Sequence, residues 1–296
     1  MSDRNPRPSE RLVAALTGSV AGTMGDLYGQ RALGTDAEVF TPTDVARQAK
    51  DVLERAKHTA VLVDDGTTTH AIETWNRWRC ERGATDLLEG LIPRKAKGIS
   101  DLRSVRVDWR PQGGFSEDLI ATFMPSEQPP AAHFAATDVH RSTRRVLDTA
   151  KEHPVFIDHK HTLLTIDDWG RRRFESAVLG ILQDVRQFQG ARVLHEGEDP
   201  STWALVTPYP WTAALPREEL DEFADELLPY LLESVLSREL DRFLSNLRGW
   251  HAACEIHASE TLQKRLALPI DPTRLMELSA PGDVPAIKSR SMIKSR

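Results

Sequence analysis

The side chains best placed to do chemistry in this chain are cations. Arg47, Arg141, Arg144 and Arg145 fall near the start of predicted helices, where a guanidinium and the N–H groups of a first turn together suit a phosphate oxygen. Such contacts position a protein on a duplex, and the sequence assigns base readout to none of these residues. Imidazoles form a second group. His159, Lys160 and His161 share a predicted turn close to His153, but their spacing matches no closed zinc pattern, so the reading is an exposed polar turn with no metal. His251, Cys254 and His257 step by three along a predicted helix, and such steps drift round its surface by roughly a third of a turn, which assigns them to packing or solvent. No nucleophile–base–orienter arrangement or paired-carboxylate motif stands out. The glycines of residues 18–25 follow no strand and precede no Gly-Lys-Ser/Thr, so they make no phosphate loop. The expectation is a protein that is not an enzyme and carries no cofactor.

Composition narrows the setting. A chain of 296 residues with formal charge −6 allows about two domains and has no global basic footprint, so a nucleic-acid site must be local. Cys80 and Cys254 lie in different segments, which favours a reducing cytoplasm over a disulfide framework. Arg4, Arg7 and Arg11 precede an apolar run over 12–24, but Thr17, Gly18 and Ser19 dilute it, so residues 1–38 read as a flexible leader rather than a secretory signal. No stretch approaches the roughly 20 apolar residues of a membrane span, and no membrane partner is expected.

These cations must be positioned by elements that occur twice. Laying Phe40–Trp75 over Phe134–Trp169, an offset of 94 without a gap, matches 14 of 36 positions, against about two expected by chance. In the first copy Thr43 can cap a helix whose apolar stripe is Val45, Ala49, Val52, Leu53 and Ala56. The second copy keeps the stripe as Val139, Thr143, Val146, Leu147 and Ala150. Two apolar runs about a turn follow as a hairpin, and Thr74 and Asp168 then offer caps for a further helix carrying Arg77/Arg171 and Glu81/Glu175. Each copy is expected to close with two more strands, Val105–Trp109 with Leu119–Phe123, and Arg192–His195 with Trp203–Thr207. The boundaries predicted are a first repeat over 39–125, a linker over 126–133, a second repeat over 134–211, a helical segment over 212–268 and a flexible tail over 269–296. Two copies joined by a short linker are expected to pair as an intrachain pseudo-dimer, and a homo-oligomer is allowed.

The order Thr-Asp-Val, a helix ending Val-Leu-x-x-Ala-Lys, strand, tight turn, strand and Asp-Asp-Trp resembles the Phd/YefM (prevent-host-death) antitoxin domain. Residues 136–169 carry the resemblance best and residues 41–75 are more diverged. The resemblance implies an α+β fold of two tandem Phd/YefM-like repeats. It also implies operator DNA bound at the start of the first helix, and a toxin protein bound by carboxy-terminal segments. A basic residue that these antitoxins often place after Thr-acidic-apolar falls on Ala46 and His140, with Arg47 and Arg141 next. The expected DNA contacts are therefore Arg47, His140, Arg141, Arg144, Arg145 and Lys160, weighted to the second copy, because Asp64-Asp65-Gly66 in the first copy's turn would repel phosphate.

From Leu215 the pattern turns helical. Glu218, Glu219, Asp221, Glu222, Asp225 and Glu226 open it, and Pro229 is expected to kink or split it. Leu247, Trp250, Ile256 and Leu262 fall on a predicted amphipathic helix and are the expected toxin contacts.

Overall fold

The computed structural model describes residues 37–107, 109 and 132–266. The described residues up to Ala258 form one compact unit, and a second begins at Ser259. The first is α+β, with a six-stranded sheet ordered β1-β2-β3-β6-β5-β4. In the first copy these are β1 (Val39–Phe40), α1 (Pro42–Ala56), β2 (Val61–Asp64), β3 (Thr69–Thr74) and α2 (Trp75–Leu91), followed by the short α3 (Ile99–Leu102). In the second they are β4 (His133–Ala135), α4 (Ala136–Arg141), α5 (Thr143–Glu152), β5 (Val155–His159), β6 (Thr162–Asp168) and α6 (Trp169–Leu194). Then come α7 (Pro200–Trp203), two 3-10 turns, α8 (Arg217–Ser237), α9 (Asp241–Ala258) and, in the second unit, α10 (Glu260–Leu266).

The two copies meet at the centre of the sheet. β3 and β6 are antiparallel with Ile72 opposite Ile166, and Ala71–Asp167 is mirrored by Glu73–Thr165. Since Ile166 is the residue 94 positions after Ile72, a pseudo-two-fold axis passes between two equivalent side chains, the arrangement of an isologous dimer. At each outer edge a short strand is parallel to its neighbour, β1 to β2 and β4 to β5. The Glu38 carbonyl accepts from the Leu62 N–H at 2.9 Å, and the Ala132 carbonyl accepts from Phe156 at the same distance.

Alternation along the strands sends each copy's side chains to two faces. One face carries Ile72, Val61, Val63, Val155, Ile157, Leu164 and Ile166 against the helix stripes, all of whose ten predicted positions are buried. A single core thus serves both copies. The other face carries Phe156 beneath the stacked Trp75 and Trp78. Beyond it a larger helical core joins α2 and α6 to α8 and α9 around Phe188, Trp211, Phe223 and Leu247.

Several sequence expectations are corrected. The cap of α1 is Thr41, in a capping box with Asp44 and with Pro42 in the first turn, rather than Thr43. Arg192–His195 is the end of α6, because packing of Val185, Phe188 and Ala191 on α8 and its neighbours carries the helix on. Trp203–Thr207 is helical turn rather than strand, begun by Asp199 as cap and Pro200 behind it. Val105 and Val107 are unpaired chain packed on the helical core, and Leu119–Phe123 lies outside the described residues. The leader to residue 36, positions 126–131 of the linker and the tail also lie outside them, and His133 opens β4. α8 runs unbroken through Pro229; Gln189 of α6 donates to the Ala224 carbonyl beside the place where proline interrupts the backbone ladder.

Candidate nucleic-acid interface

α1 lies against α4 and α5, so the first helices of the two copies share a face of the molecule. Each is interrupted at the same point. Gln48 (φ −123°, ψ 27°) breaks α1, and its equivalent Ser142 (φ −141°, ψ 41°) separates α4 from α5. The break leaves Arg47 and Arg141 at the end of the first segment and opens a second helix start immediately after. In the second copy that start carries Thr143, Arg144 and Arg145, and Ser142 makes no side-chain hydrogen bond to it. Uncapped N–H groups and two guanidiniums therefore occupy one turn, a combination suited to an anion. The first copy has Ala49, Lys50 and Asp51 there, and the Asp51 carboxylate opposes the same chemistry.

Arg47, His140, Arg141, Arg144 and Arg145 are all exposed. Arg47 lies near Asp44, whose carboxyl is held below its ordinary range chiefly by hydrogen bonding from Thr41, with Arg47 adding to it. The Arg145 guanidinium sits 5.9 Å from the centroid of Phe134. Arg141 and Arg144 pair with no carboxylate among the described residues. Lys160 differs: its ammonium is 3.1 Å from Glu54, which also meets His159 at 3.1 Å and Lys57 at 3.2 Å. Lys160, His159 and Lys57 together pull the Glu54 carboxyl down to about 2. The reciprocal contact joins Lys151 of the second copy to Asp65 of the first copy's turn at 2.8 Å. Both turns thus tie one copy to the other's helix. The Lys160–His161 turn takes positive φ at both residues, 47° and 66°, as a two-residue hairpin requires.

On the opposite face of the sheet, charge is buried across the pseudo-axis. Arg172, wholly buried, donates through Nε to Glu73 at 2.6 Å and through its other nitrogens to Glu81 and Glu175. Trp78, the equivalent residue in the first copy, donates to Asp167 at 2.9 Å, and Arg172 lies 5.8 Å from its ring centroid. Arg77 bridges Glu73 and Glu81 at 3.2 and 3.1 Å, and Arg171 meets Asp167 at 3.0 Å. Burial pushes the Glu81 and Asp167 carboxyls up against the pull of their arginines. Identity at Arg77/Arg171 and Glu81/Glu175 is visible in the sequence, but the central role of Arg172 carries no such signal, because its equivalent is tryptophan.

The carboxy-terminal expectations separate. Leu247 is wholly buried among the chain's own helices, and Trp250 packs edge-on to Phe223 at 5.8 Å while donating to Glu226 at 3.0 Å. Ile256 is half-buried and Leu262 is exposed. Much of the acidic cluster is spent internally: Glu219 on His257, Asp221 and Asp225 on Arg192, and Glu226 on Arg103 and Asn246. His251 stacks edge-on to Trp211 at 5.4 Å, and burial raises the Cys254 thiol well above its usual range. Among the described residues no three His, Cys, Asp or Glu side chains gather to hold a metal ion, and no helix is long and apolar enough to cross a membrane. Compared with protein-family models, curated proteins and solved structures, the chain matches none.

Proposed function

We propose that this chain is a non-enzymatic, cytoplasmic, antitoxin-like regulator. In this reading two Phd/YefM-like units paired within one chain bind operator DNA, repress their own operon and neutralise a partner toxin. The observation that carries it is the exposed turn at the start of α5, where Arg144 and Arg145 flank uncapped N–H groups beside Arg141 and His140. The reading places DNA contact mainly on the second copy, with Arg47 as the first copy's contribution. Lys160 is secondary, since Glu54 already neutralises it. Toxin contact falls to Ile256 and Leu262, because Leu247 and Trp250 are occupied by the chain's own core.

The test is fluorescence anisotropy with the DNA upstream of the chain's own gene, titrated across salt concentrations. Changing Arg144 and Arg145 together to Glu weakens binding and lowers the salt slope by about 2, near 0.9 for each phosphate no longer neutralised. Unchanged binding by a folded variant moves DNA recognition off this turn. A second reading, an interaction scaffold on the same fold, is favoured by Asp51 and Ala46 in the first copy, and absence of DNA binding by the parent protein selects it.

A further inference from the structure

We propose that a cavity between α2, α6 and the end of α8 binds a small ligand bearing phosphate or carboxylate oxyanions. It has a volume of about 560 Å3 and is lined by Arg82, Gly170, Arg171, Phe174 and Arg238. Three guanidiniums and an aromatic ring line it, and among the described residues no carboxylate does. The volume falls within the roughly 300–1,000 Å3 of small-molecule sites. None of these residues belongs to the α1/α4/α5 face, so the inference stands apart from the DNA reading.

The carboxylates that neutralise these arginines are not among the lining residues, and they hold the guanidiniums in place. Arg82 meets Glu175 at 2.9 Å and Asp86 at 2.7 Å, Arg171 donates through Nη1 to Asp167 at 3.0 Å, and Arg238 is held through Nη2 by Glu89. Each guanidinium therefore keeps donors unused by the described residues: Nε of Arg82, Nε and Nη2 of Arg171, and Nε and Nη1 of Arg238. Planar forks oriented in advance are what bidentate oxyanion recognition needs.

An independent observation concerns the backbone. Arg238 ends α8 in the left-handed region, φ 59°, ψ 27°, a position that favours glycine. Arginine there places a guanidinium 5.7 Å from the Phe174 centroid at the cavity wall, and a strained residue whose side chain serves a cavity is a pointer to function. The pseudo-symmetric partners of Gly170, Phe174 and Arg82 are Asn76, Cys80 and Ser176, so the duplication does not reproduce the site. Its residues have diverged to this set in one place only.

The backbone geometry supplies the test. Arg238→Gly removes the guanidinium while giving the chain the residue its conformation favours, so the thermal midpoint is expected to hold or rise. Calorimetric titration of the full chain with pyrophosphate, ADP and citrate, each without metal at low ionic strength, is expected to show saturable binding of at least one. That binding weakens at least tenfold in Arg238→Gly and in Arg238→Asn, a second residue that tolerates positive φ. Binding of pyrophosphate and ADP without citrate assigns a phosphorylated ligand, and the reverse a carboxylate; either supports the site. Wild-type affinity in both folded variants overturns it, as does the absence of saturable binding by the parent chain. Loss of binding in Arg144→Gln/Arg145→Gln with retention in Arg238→Gly places the anion on the helix face and overturns it equally.

Discussion

Replacing Arg172 with Met tests what holds the two copies together. Methionine keeps an unbranched stem but withdraws the charge that Glu73, Glu81 and Glu175 surround, and the side chains of these carboxylates are only 4, 6 and 0 % exposed. Arg77 and Arg82 remain on them, so the site is depleted rather than stripped. Breaking a buried ion network by removing one partner costs about 3–5 kcal/mol, and taking the guanidinium away from the Trp78 ring adds about 1 kcal/mol. At about 2–4 °C per kcal/mol for a domain of this size, the two losses together should lower the unfolding midpoint by about 8–24 °C. The loss also has a pH signature. Burial already raises the Glu81 carboxyl above its unfolded value of 4.5, and without Arg172 it rises further. A carboxyl raised in the folded state binds its proton more tightly there than in the unfolded chain. Its stabilising effect is full below the unfolded value and is lost as pH climbs through the folded one. The gap between variant and parent should therefore be widest at neutral pH and narrow towards about pH 4. Thermal and urea unfolding of both proteins at the two pH values decides it. A loss below about 1 kcal/mol at neutral pH, or a gap indifferent to acid, would show that Arg172 does not anchor the cluster.

Two further outcomes concern the helices. Thr41→Ala removes the capping-box side chain of α1 and should cost about 1 kcal/mol, whereas Ala135→Ser supplies the missing half of the equivalent box and should gain about 0.5–1 kcal/mol, both read from unfolding midpoints. The parent second copy has only the Ala135 N–H donating to Asp138 at 2.9 Å, so equal effects at the two sites would contradict the assignment. Trp250→Ala should lower stability by about 2–3 kcal/mol through lost packing on Phe223 and leave affinity for the toxin partner proposed above unchanged. Weaker affinity at undiminished stability would return Trp250 to the partner surface.

What the sequence made legible was whatever the duplication states twice. The helix stripe appears in both copies and is buried at every predicted position, and the caps at Thr74 and Asp168 each accept from the N–H three residues on, Arg77 and Arg171. The two expected pairs of closing strands had no such support. Val193 and Leu194 look like a strand in isolation, but a helix already packed through Phe188 extends across them, and tertiary context outweighs local β-propensity. The Asp199-Pro200 start of α7 was available as a cap signal. From sequence alone the carboxy-terminal helices read as a separate partner element, because nothing in their pattern names what they cover. An amphipathic face specifies that it will be buried, not by which surface. In the structure the cover is α2 and α6 themselves, which is why Leu247 is internal.

The same contrast explains why divergence between position 78 and its equivalent 172 matters. In a symmetric dimer a residue this near the two-fold meets its own copy. Here one copy supplies Trp78 and the other Arg172, and the two touch. The acids that neutralise Arg172 are unevenly shared as well, Glu73 and Glu81 from the first copy and Glu175 from the second. Two first copies paired together would bury Glu73 and Glu81 without Arg172, whereas in two second copies Arg172 would still find acids at the equivalent positions, Asp167 and Glu175. The divergence at this position therefore works against the pairing of two first copies, whose buried acids would lose the Arg172 guanidinium, and the linker keeps the second copy, which supplies it, in the same chain.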